Sequence, residues 1–250
     1  AYTYFSLAKR YGGLSLIKSP QQYNGNIEEL KVPRSTEKDT WDFILKDCDD
    51  AVLLFGDANQ DDVLRANKWS ALALKSRVAL FAASVAKYTH SPYVSFSGPA
   101  VEQGLVGISV TEADRYYNAC IEAAREIISS GYFGLYKPSP ASPEEATKNY
   151  QKLFEKPFDC LDGVKEPIFM KGYAIDTPLG HNYDVWFSPR QIILSPNLYP
   201  SRMDPTLDFV DSFEDYTDDG TGTPKPILTR VAGNETDYDG FSLSKEYLSF

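Results

Sequence analysis

The stretch GYAIDTPLGHNYDVWFSPRQ, residues 172–191, concentrates aromatic rings and hydrogen-bonding side chains in a short span. Aromatic planes pack well against the C–H faces of sugar rings, while sugar hydroxyls need paired donors and acceptors. The stretch offers both kinds of group, with Asp184 as a further acceptor. An alternative is that Tyr183, Trp186 and Phe187 only anchor an irregular loop on the remaining fold. The ligand contacts predicted from this stretch are Tyr173, His181, Asn182, Tyr183, Trp186 and Arg190.

A second aromatic group occurs in YTHSPYVSF, residues 88–96. Tyr88, His90, Tyr93 and Phe96 combine rings with one titratable donor, so they form a weaker candidate for ligand contact. The same loop could equally pack on a neighbouring segment or on a partner protein. Trp41 and Trp69 lie on apolar helical stripes instead, which favours core packing for both.

Metal chemistry is poorly supported by the sequence. Cys48, Cys120 and Cys160 form no CxxC pair, and the two histidines form no HxxxH or HxH spacing. DYTDDG, residues 215–220, resembles the first half of an EF-hand loop, but its twelfth position is Pro226 rather than a bidentate glutamate. We expect an Asp-Gly turn there, leave a looser calcium site open, and predict no cofactor.

A glycoside hydrolase is the main catalytic alternative. That chemistry needs two carboxylates about 5–9.5 Å apart across one cleft, one of them with a raised pKa. Asp204 is better explained as a helix N-cap before Pro205, and neither GxSxG nor a P-loop occurs. The sequence therefore favours a protein that is not an enzyme. The acids available to a hydrolase are Glu112, Asp184, Asp204 and Asp208.

The amino-acid composition is that of a globular protein, and it disfavours binding to nucleic acid. The chain has 250 residues, 42% of them hydrophobic and 24% charged, and a net charge of −10. No cluster of lysine and arginine interrupts this balance, which argues against nucleic-acid binding. No stretch approaches the roughly 20 apolar residues that span a bilayer.

Apolar periodicity predicts several helices. Residues 1–11 form the first, ended by Gly12 and Gly13, and a second runs to Phe55 after an N-cap at Ser35 or Thr36. Later helices are expected at 112–130 with Thr111 as the cap, at 143–154, and at 205–214. KEPIFMKGY, residues 165–173, reads as a short strand.

The central helix, Ala66 to Tyr88, has almost no clean polar face and carries many alanines. A helix flanked on both sides needs small residues where neighbouring backbones approach. We therefore expect it to pack between other helices, with the helix 112–130 as an antiparallel partner. Trp69-x-x-Leu72-Ala73 is similar to the opening of a tetratricopeptide repeat, although a plain helical bundle explains the pattern almost as well.

Several segments, taken in order, resemble the SusD-like (RagB/SusD) family of outer-membrane nutrient-binding lipoproteins, a resemblance assigned to the central part of the chain. Departures are Ser76 where alanine is usual and Pro167 in the strand motif. The segments that carry it are YFSLAKRYGGLSLI, RSTEKDTWDFILKDCDDAVLLF, RANKWSALALKSRVALFAASVAKY, YYNACIEAAREIISSGYFGLY, KEPIFMKGY and DPTLDFVDSFEDYTDDG.

The resemblance implies a mainly α fold: a tetratricopeptide-like helical scaffold with long irregular loops and little β structure. Residues 1–250 would form one domain, with a helical scaffold at 1–155 and a loop-rich part at 156–250 that bears the ligand site. The family's members run to about twice this length, so we expect the chain to be a section of a longer protein.

The implied function is non-catalytic binding of glycan or another nutrient at the cell surface, as part of polysaccharide utilisation. The implied partners are an oligosaccharide, a SusC-like TonB-dependent transporter, and the outer membrane through an upstream lipid anchor that is not in this chain. An intracellular tetratricopeptide adaptor is a further alternative, but it predicts short inter-helix turns and a basic groove.

Overall fold

A computed structural model describes residues 1–58, 60–89, 96–161 and 165–173, together with the backbone of Glu214–Asp215 and Lys225–Pro226. The chain divides into two compact units, Ala1–Gly172 and Tyr173–Phe250. The first unit consists of helices α1 (Tyr2–Tyr11), α2 (Glu37–Phe55), α3 (Lys68–Tyr88), α4 (Pro99–Glu102), α5 (Ala113–Ser129) and α6 (Pro143–Glu155). The mainly α fold predicted from the sequence is confirmed.

Helices α1 and α2 begin and end where the sequence predicts. Gly12 follows α1 with φ +67, and its N–H bonds the carbonyl of Ala8. Thr36 is the N-cap of α2, and its hydroxyl accepts a hydrogen bond from the backbone N–H of Asp39. Phe5 of α1 packs edge-on against Trp41 of α2, with ring centroids 6.0 Å apart.

The alanine-rich helix α3 lies between α2 and α5, which confirms the predicted reason for its composition. Ala79, Ala82, Ala83 and Ala86 are fully buried in one core cluster that also contains Trp41 and residues of α5. Small side chains let the neighbouring helices approach closely, so the three helices pack side by side and antiparallel. The arrangement is tetratricopeptide-like, as expected.

Helix α3 begins two residues later than predicted. Asn67 caps it, accepting from the N–H of Ser70 while the Ser70 hydroxyl accepts from the N–H of Asn67. Contrary to our expectation, α3 is long and apolar enough to cross a membrane by length and composition. Its alanines account for this, and their burial against α2 and α5 identifies α3 as a core helix.

The connection between α3 and α5 is long, as predicted, but its described part is ordered. Residues 99–102 form α4, and a 3-10 turn at Val110–Glu112 leads directly into α5. Thr111 is therefore not the N-cap. Instead, Ser109 caps the 3-10 turn by accepting a hydrogen bond from the N–H of Thr111, because the chain tightens before the α-helix starts.

The predicted strand at residues 165–173 is wrong. Lys165 makes an isolated bridge with Phe133, and the residues after it form no described strand. Pro167 supplies no N–H to a ladder, which prevents continued pairing. In the second unit, strands β1 (Glu214–Asp215) and β2 (Lys225–Pro226) pair antiparallel, with Glu214 opposite Pro226. Glu214 therefore does not end a helix, and the other residues of the helix expected at 205–214 lie outside the described residues.

Candidate functional site

The two ends of the α2–α3–α5 array differ in chemistry. At one end, the first turns of α2 and α5 bring charged side chains together; we call this the polar end. At the other end, the first turn of α3 meets the chain that follows α5; we call this the aromatic end. The polar end is defined by Lys38, Asp42, Glu112, Arg115 and Tyr116, and the aromatic end by Trp69, Tyr132, Phe133 and Ile168.

Asp42 is the centre of the polar end. Its Oδ1 accepts hydrogen bonds from Arg115 at 2.8 Å and from the buried Tyr116 hydroxyl at 2.9 Å, and its Oδ2 accepts from Lys38 at 2.8 Å. Burial alone would raise the pKa of Asp42, but these hydrogen bonds outweigh it and hold the pKa below its usual value. Burial and the Asp42 charge raise the pKa of Tyr116.

Because Arg115 also donates two hydrogen bonds to Glu112, every charge at the polar end has an opposite partner. Lys38 lies a further 3.9 Å from Glu112. These charges join α2 to α5. Glu112, one of the acids available to a hydrolase, is therefore part of a structural network.

Glu37 ties the long connection onto the start of α2. Its buried carboxylate accepts hydrogen bonds from the Trp41 indole N–H at 3.2 Å and from the Gly107 backbone N–H at 2.5 Å. Its own N–H donates to the carbonyl of Gly104, and the N–H of Gly13 donates to the carbonyl of Leu105. Residues 104–107 of the connection are thus held by Gly13 and by Glu37 at the start of α2.

The aromatic end is built around Trp69, which is buried with 4% of its surface exposed. Tyr132 lies 5.3 Å from it between ring centroids, and Phe133 packs edge-on at 5.8 Å. Tyr132 itself keeps 43% of its surface exposed. Burial of the indole leaves its Nε1–H without a hydrogen-bond acceptor among the residues that the structure describes, which normally costs about 1–3 kcal/mol.

Ion pairs line the loop before α3, next to this aromatic cluster. Lys68 lies over the Trp69 ring, 4.6 Å from its centroid, and its Nζ pairs with Asp57 at 3.0 Å. Lys165 donates its backbone N–H to the carbonyl of Tyr132 and its Nζ to Asp61. In both pairs the lysine is mostly buried and the aspartate exposed, so carboxylate oxygens face solvent at the edge of the cluster.

Segment 165–172 also joins the loop before α3. The N–H of Met170 donates to the carbonyl of Val63 at 2.8 Å, and Gly172 lies against the side chain of Leu64. The chain therefore leaves the first unit beside the aromatic end. The next residue, Tyr173, opens the stretch from which ligand contacts were predicted.

Of the predicted ligand residues, the structure describes only Tyr173, which is 41% exposed. In the second aromatic group Tyr88 and Phe96 are both exposed, while His90 and Tyr93 lie outside the described residues. Trp41 and Trp69 are buried, as their helical positions predicted. The predicted contacts outside the described residues are His181, Asn182, Tyr183, Trp186 and Arg190.

Sequence reasoning missed Tyr132 and Phe133 as a possible contact surface. In the sequence they belong to the motif that ends α5, SGYFGLY. The available signal was their position directly after Gly131, whose φ of +73 ends the helix and turns the following residues across the start of α3. Two adjacent aromatic residues at such a turn could have been recognised as a surface feature.

Neither a metal site nor a disulfide is found among the described residues. No group of three or more His, Cys, Asp or Glu side chains there could hold a metal ion. Cys48, Cys120 and Cys160 are all free. In the EF-hand-like loop, residues 215–226, the structure describes only the backbone of Asp215, Lys225 and Pro226. Asp215 lies on β1, and the other two residues lie on β2.

The start of the chain matches a known protein family. Residues 1–80 match the SusD-like_3 family model, described as starch-binding and associating with the outer membrane. Over this segment the chain is similar to that family. The match covers 80 of 250 residues and lies at the start of the chain rather than in its central part, which corrects the assignment made from the motifs. No curated protein matches the chain.

The matched segment contains Glu37 and Gly13, which hold residues 104–107, and part of the core. It includes the Gly12–Gly13 pair, the cap at Thr36 and the tryptophans at 41 and 69. These residues pack helices and fix a connection, so the segment identifies a scaffold. The aromatic end combines Trp69 of this segment with residues that follow α5.

Proposed function

We propose that the protein binds glycan without transforming it, at the cell surface and in association with the outer membrane. The SusD-like match of residues 1–80 carries the proposal, since the family is described as starch-binding and associating with the outer membrane. The tetratricopeptide-like array supports it, because rigid helices present loops on which recognition side chains can be held.

Delivery of the bound glycan to a SusC-like TonB-dependent transporter is part of the proposal. An upstream lipid anchor would hold the protein at the membrane. The net charge of −10 disfavours nucleic acid as a partner. The transporter and the lipid anchor are both proposed from the family resemblance.

Ligand contacts are proposed at Tyr173, His181, Asn182, Tyr183, Trp186 and Arg190. Rings in this stretch stack on sugar faces, and its polar groups bind hydroxyls. The exposure of Tyr173 agrees with such a role. We propose no cofactor. A calcium site at residues 215–220 stays an untested alternative.

The absence of catalysis is likewise a proposal. It is supported by the pairing of Glu112 with Arg115 and with Lys38 of α2, which commits one available acid to ion pairs. The adaptor alternative is disfavoured by the connection between α3 and α5, which is much longer than a tetratricopeptide turn.

The test is affinity electrophoresis of the wild-type protein through gels containing soluble starch, xylan, mannan or laminarin. We expect one polysaccharide to retard the protein and Trp186→Ala to abolish most of that retardation. Trp41→Phe, at a core position, is the matched control and should be retarded like the wild type. Equal retardation of Trp186→Ala and wild type would remove Trp186 from the site, and retardation by none of the gels would contradict glycan binding.

A further inference from the structure

We infer that the aromatic end is a sugar-binding subsite in which Tyr132 stacks on a pyranose ring of a neutral oligosaccharide. This inference rests on the proposed glycan-binding function and assigns part of it to residues of the helical unit. Its residues are different from those proposed as contacts at residues 173–190. It is argued from the packing, the ion pairs and the polar groups around Trp69.

The Tyr132 ring is held in place by its neighbours. Trp69 packs against it, with ring centroids 5.3 Å apart and ring planes tilted by 40°, and is itself held by Phe133 and by the α3–α5 core. A ring supported on one side and 43% exposed offers a fixed surface at low entropic cost. Sugar C–H faces pack on such surfaces, whereas a freely rotating tyrosine would first have to be ordered.

The loop before α3, which forms the rim of the aromatic end, has balanced charges. Each aspartate in the described part of the loop before α3 has a cationic partner: Asp57 with Lys68, Asp61 with Lys165, and Asp62 with Arg65. The rim therefore has little net charge, which favours a neutral ligand over an anionic one. The exposed carboxylate oxygens of Asp57 and Asp61 remain available to sugar hydroxyls.

The indole N–H of Trp69 is a further polar group of the aromatic end. This donor is buried within the cluster and has no acceptor among the described residues. Buried donors in native proteins normally find a partner, so this indole N–H needs an acceptor that the described residues do not supply. A sugar hydroxyl, or a water that a sugar holds in place, has the required chemistry.

The experiment titrates maltoheptaose, xylohexaose, mannohexaose and laminarihexaose into wild type, Tyr132→Ala, Tyr132→Phe and Tyr150→Ala. Tyr150 is the control because it is a more exposed aromatic residue, on α6, outside the aromatic end. For the sugar that the wild type binds, we expect Tyr132→Ala to weaken affinity about tenfold. Tyr132→Phe keeps the ring and should bind within about twofold of wild type, as should Tyr150→Ala.

A second readout uses the wild-type protein and does not depend on a substitution at Tyr132. In ¹⁵N-labelled wild type, the three tryptophan indole N–H signals are assigned with Trp41→Phe, Trp69→Phe and Trp186→Phe. We expect the saturating sugar to shift the Trp69 signal and leave the Trp41 signal in place. This result holds even if Tyr132→Ala folds poorly.

The outcomes separate the inference from the proposed function. Sugar binding that Tyr132→Ala leaves unchanged, or that shifts only the Trp186 signal, overturns the subsite and leaves the function standing. Failure of the wild type to bind any of the sugars overturns both. A tenfold loss in Tyr132→Ala together with a shifted Trp69 signal supports both.

Discussion

The buried carboxylate of Glu37 accepts a hydrogen bond from the backbone N–H of Gly107, a residue 70 positions along the chain. The other oxygen of the same carboxylate accepts from the Trp41 indole. One side chain therefore fixes both the start of α2 and the connection that follows α3. This contact holds residues 104–107 of the connection, a glycine-containing segment, against the start of α2.

Replacing Glu37 with glutamine tests that contact. The amide group must turn its NH₂ toward one of two N–H donors, so one of them loses its acceptor. We expect Glu37→Gln to lower the free energy of unfolding by about 1.5–3 kcal/mol, measured by urea denaturation. Glu122→Gln, at an exposed position on α5, should change it by less than about 0.5 kcal/mol. Equal stabilities of the two variants would contradict the role of Glu37.

Gly12 and Gly56 form a matched pair for testing the α1 junction. Both follow a helix with almost the same backbone angles, φ +67, ψ −129 and φ +49, ψ −124. A Cβ on Gly56 meets nothing within 4 Å, whereas one on Gly12 collides with the carbonyl oxygen of Leu105.

We expect Gly56→Ala to destabilise the protein by about 1–3 kcal/mol through backbone strain alone. Gly12→Ala should cost more, because it must also displace Leu105 from its hydrogen bond with Gly13. Thermal denaturation of the two variants side by side measures the difference. If Gly12→Ala were the milder change, the close approach of α1 to residue 105 would be wrong.

The pH dependence of stability tests the Asp42 network. The pKa of Asp42 is depressed in the folded state, so its contribution is present above the unfolded pKa, near 3.8, and is lost as the pH falls through the folded value. We therefore expect wild type to exceed Asp42→Asn in stability at neutral pH, with the gap closing at pH values below about 4.

Tyr116→Phe tests one hydrogen bond of the network, because it retains the ring and removes the hydroxyl that donates to Asp42. The pKa of Asp42, followed by carboxyl-carbon NMR, should rise in this variant. An unchanged pKa would show that the Tyr116 hydroxyl does not stabilise the carboxylate.

Cysteine labelling tests the packing of α2. Burial raises the pKa of the Cys48 thiol to about 11, and the thiolate is the reactive form. In native protein at pH 8 we expect iodoacetamide to modify the partly exposed Cys120 well before Cys48, as read by peptide mass spectrometry. In urea the two should react at similar rates. Rapid native labelling of Cys48 would indicate that α2 is not packed as described.

The helices could be predicted from the sequence because their signals are local. The apolar stripe of α2 and the alanines of α3 repeat at helical spacing, and Gly12 ends α1 through its own backbone freedom. The cap at Thr111 failed because Ser109 and Thr111 are both good caps, and only the 3-10 turn decides between them.

The aromatic end could not be predicted because its residues are distant in sequence. Tyr132 becomes a supported ring only through packing on Trp69, and its carbonyl accepts from Lys165 across a contact that no local pattern encodes. The strand expected at residues 165–173 shows the same limit. Its composition was suitable, but no neighbouring strand is described for it beyond the bridge at Phe133.

The central claim is that the protein binds a glycan and returns it unchanged. Isothermal titration calorimetry with the polysaccharide that retards the wild type, followed by chromatography of the recovered sugar, tests both halves at once. We predict saturable binding and a sugar of unaltered chain length after prolonged incubation. Shortened products would show a hydrolase, and the absence of heat with every glycan tested would show that the scaffold serves another ligand.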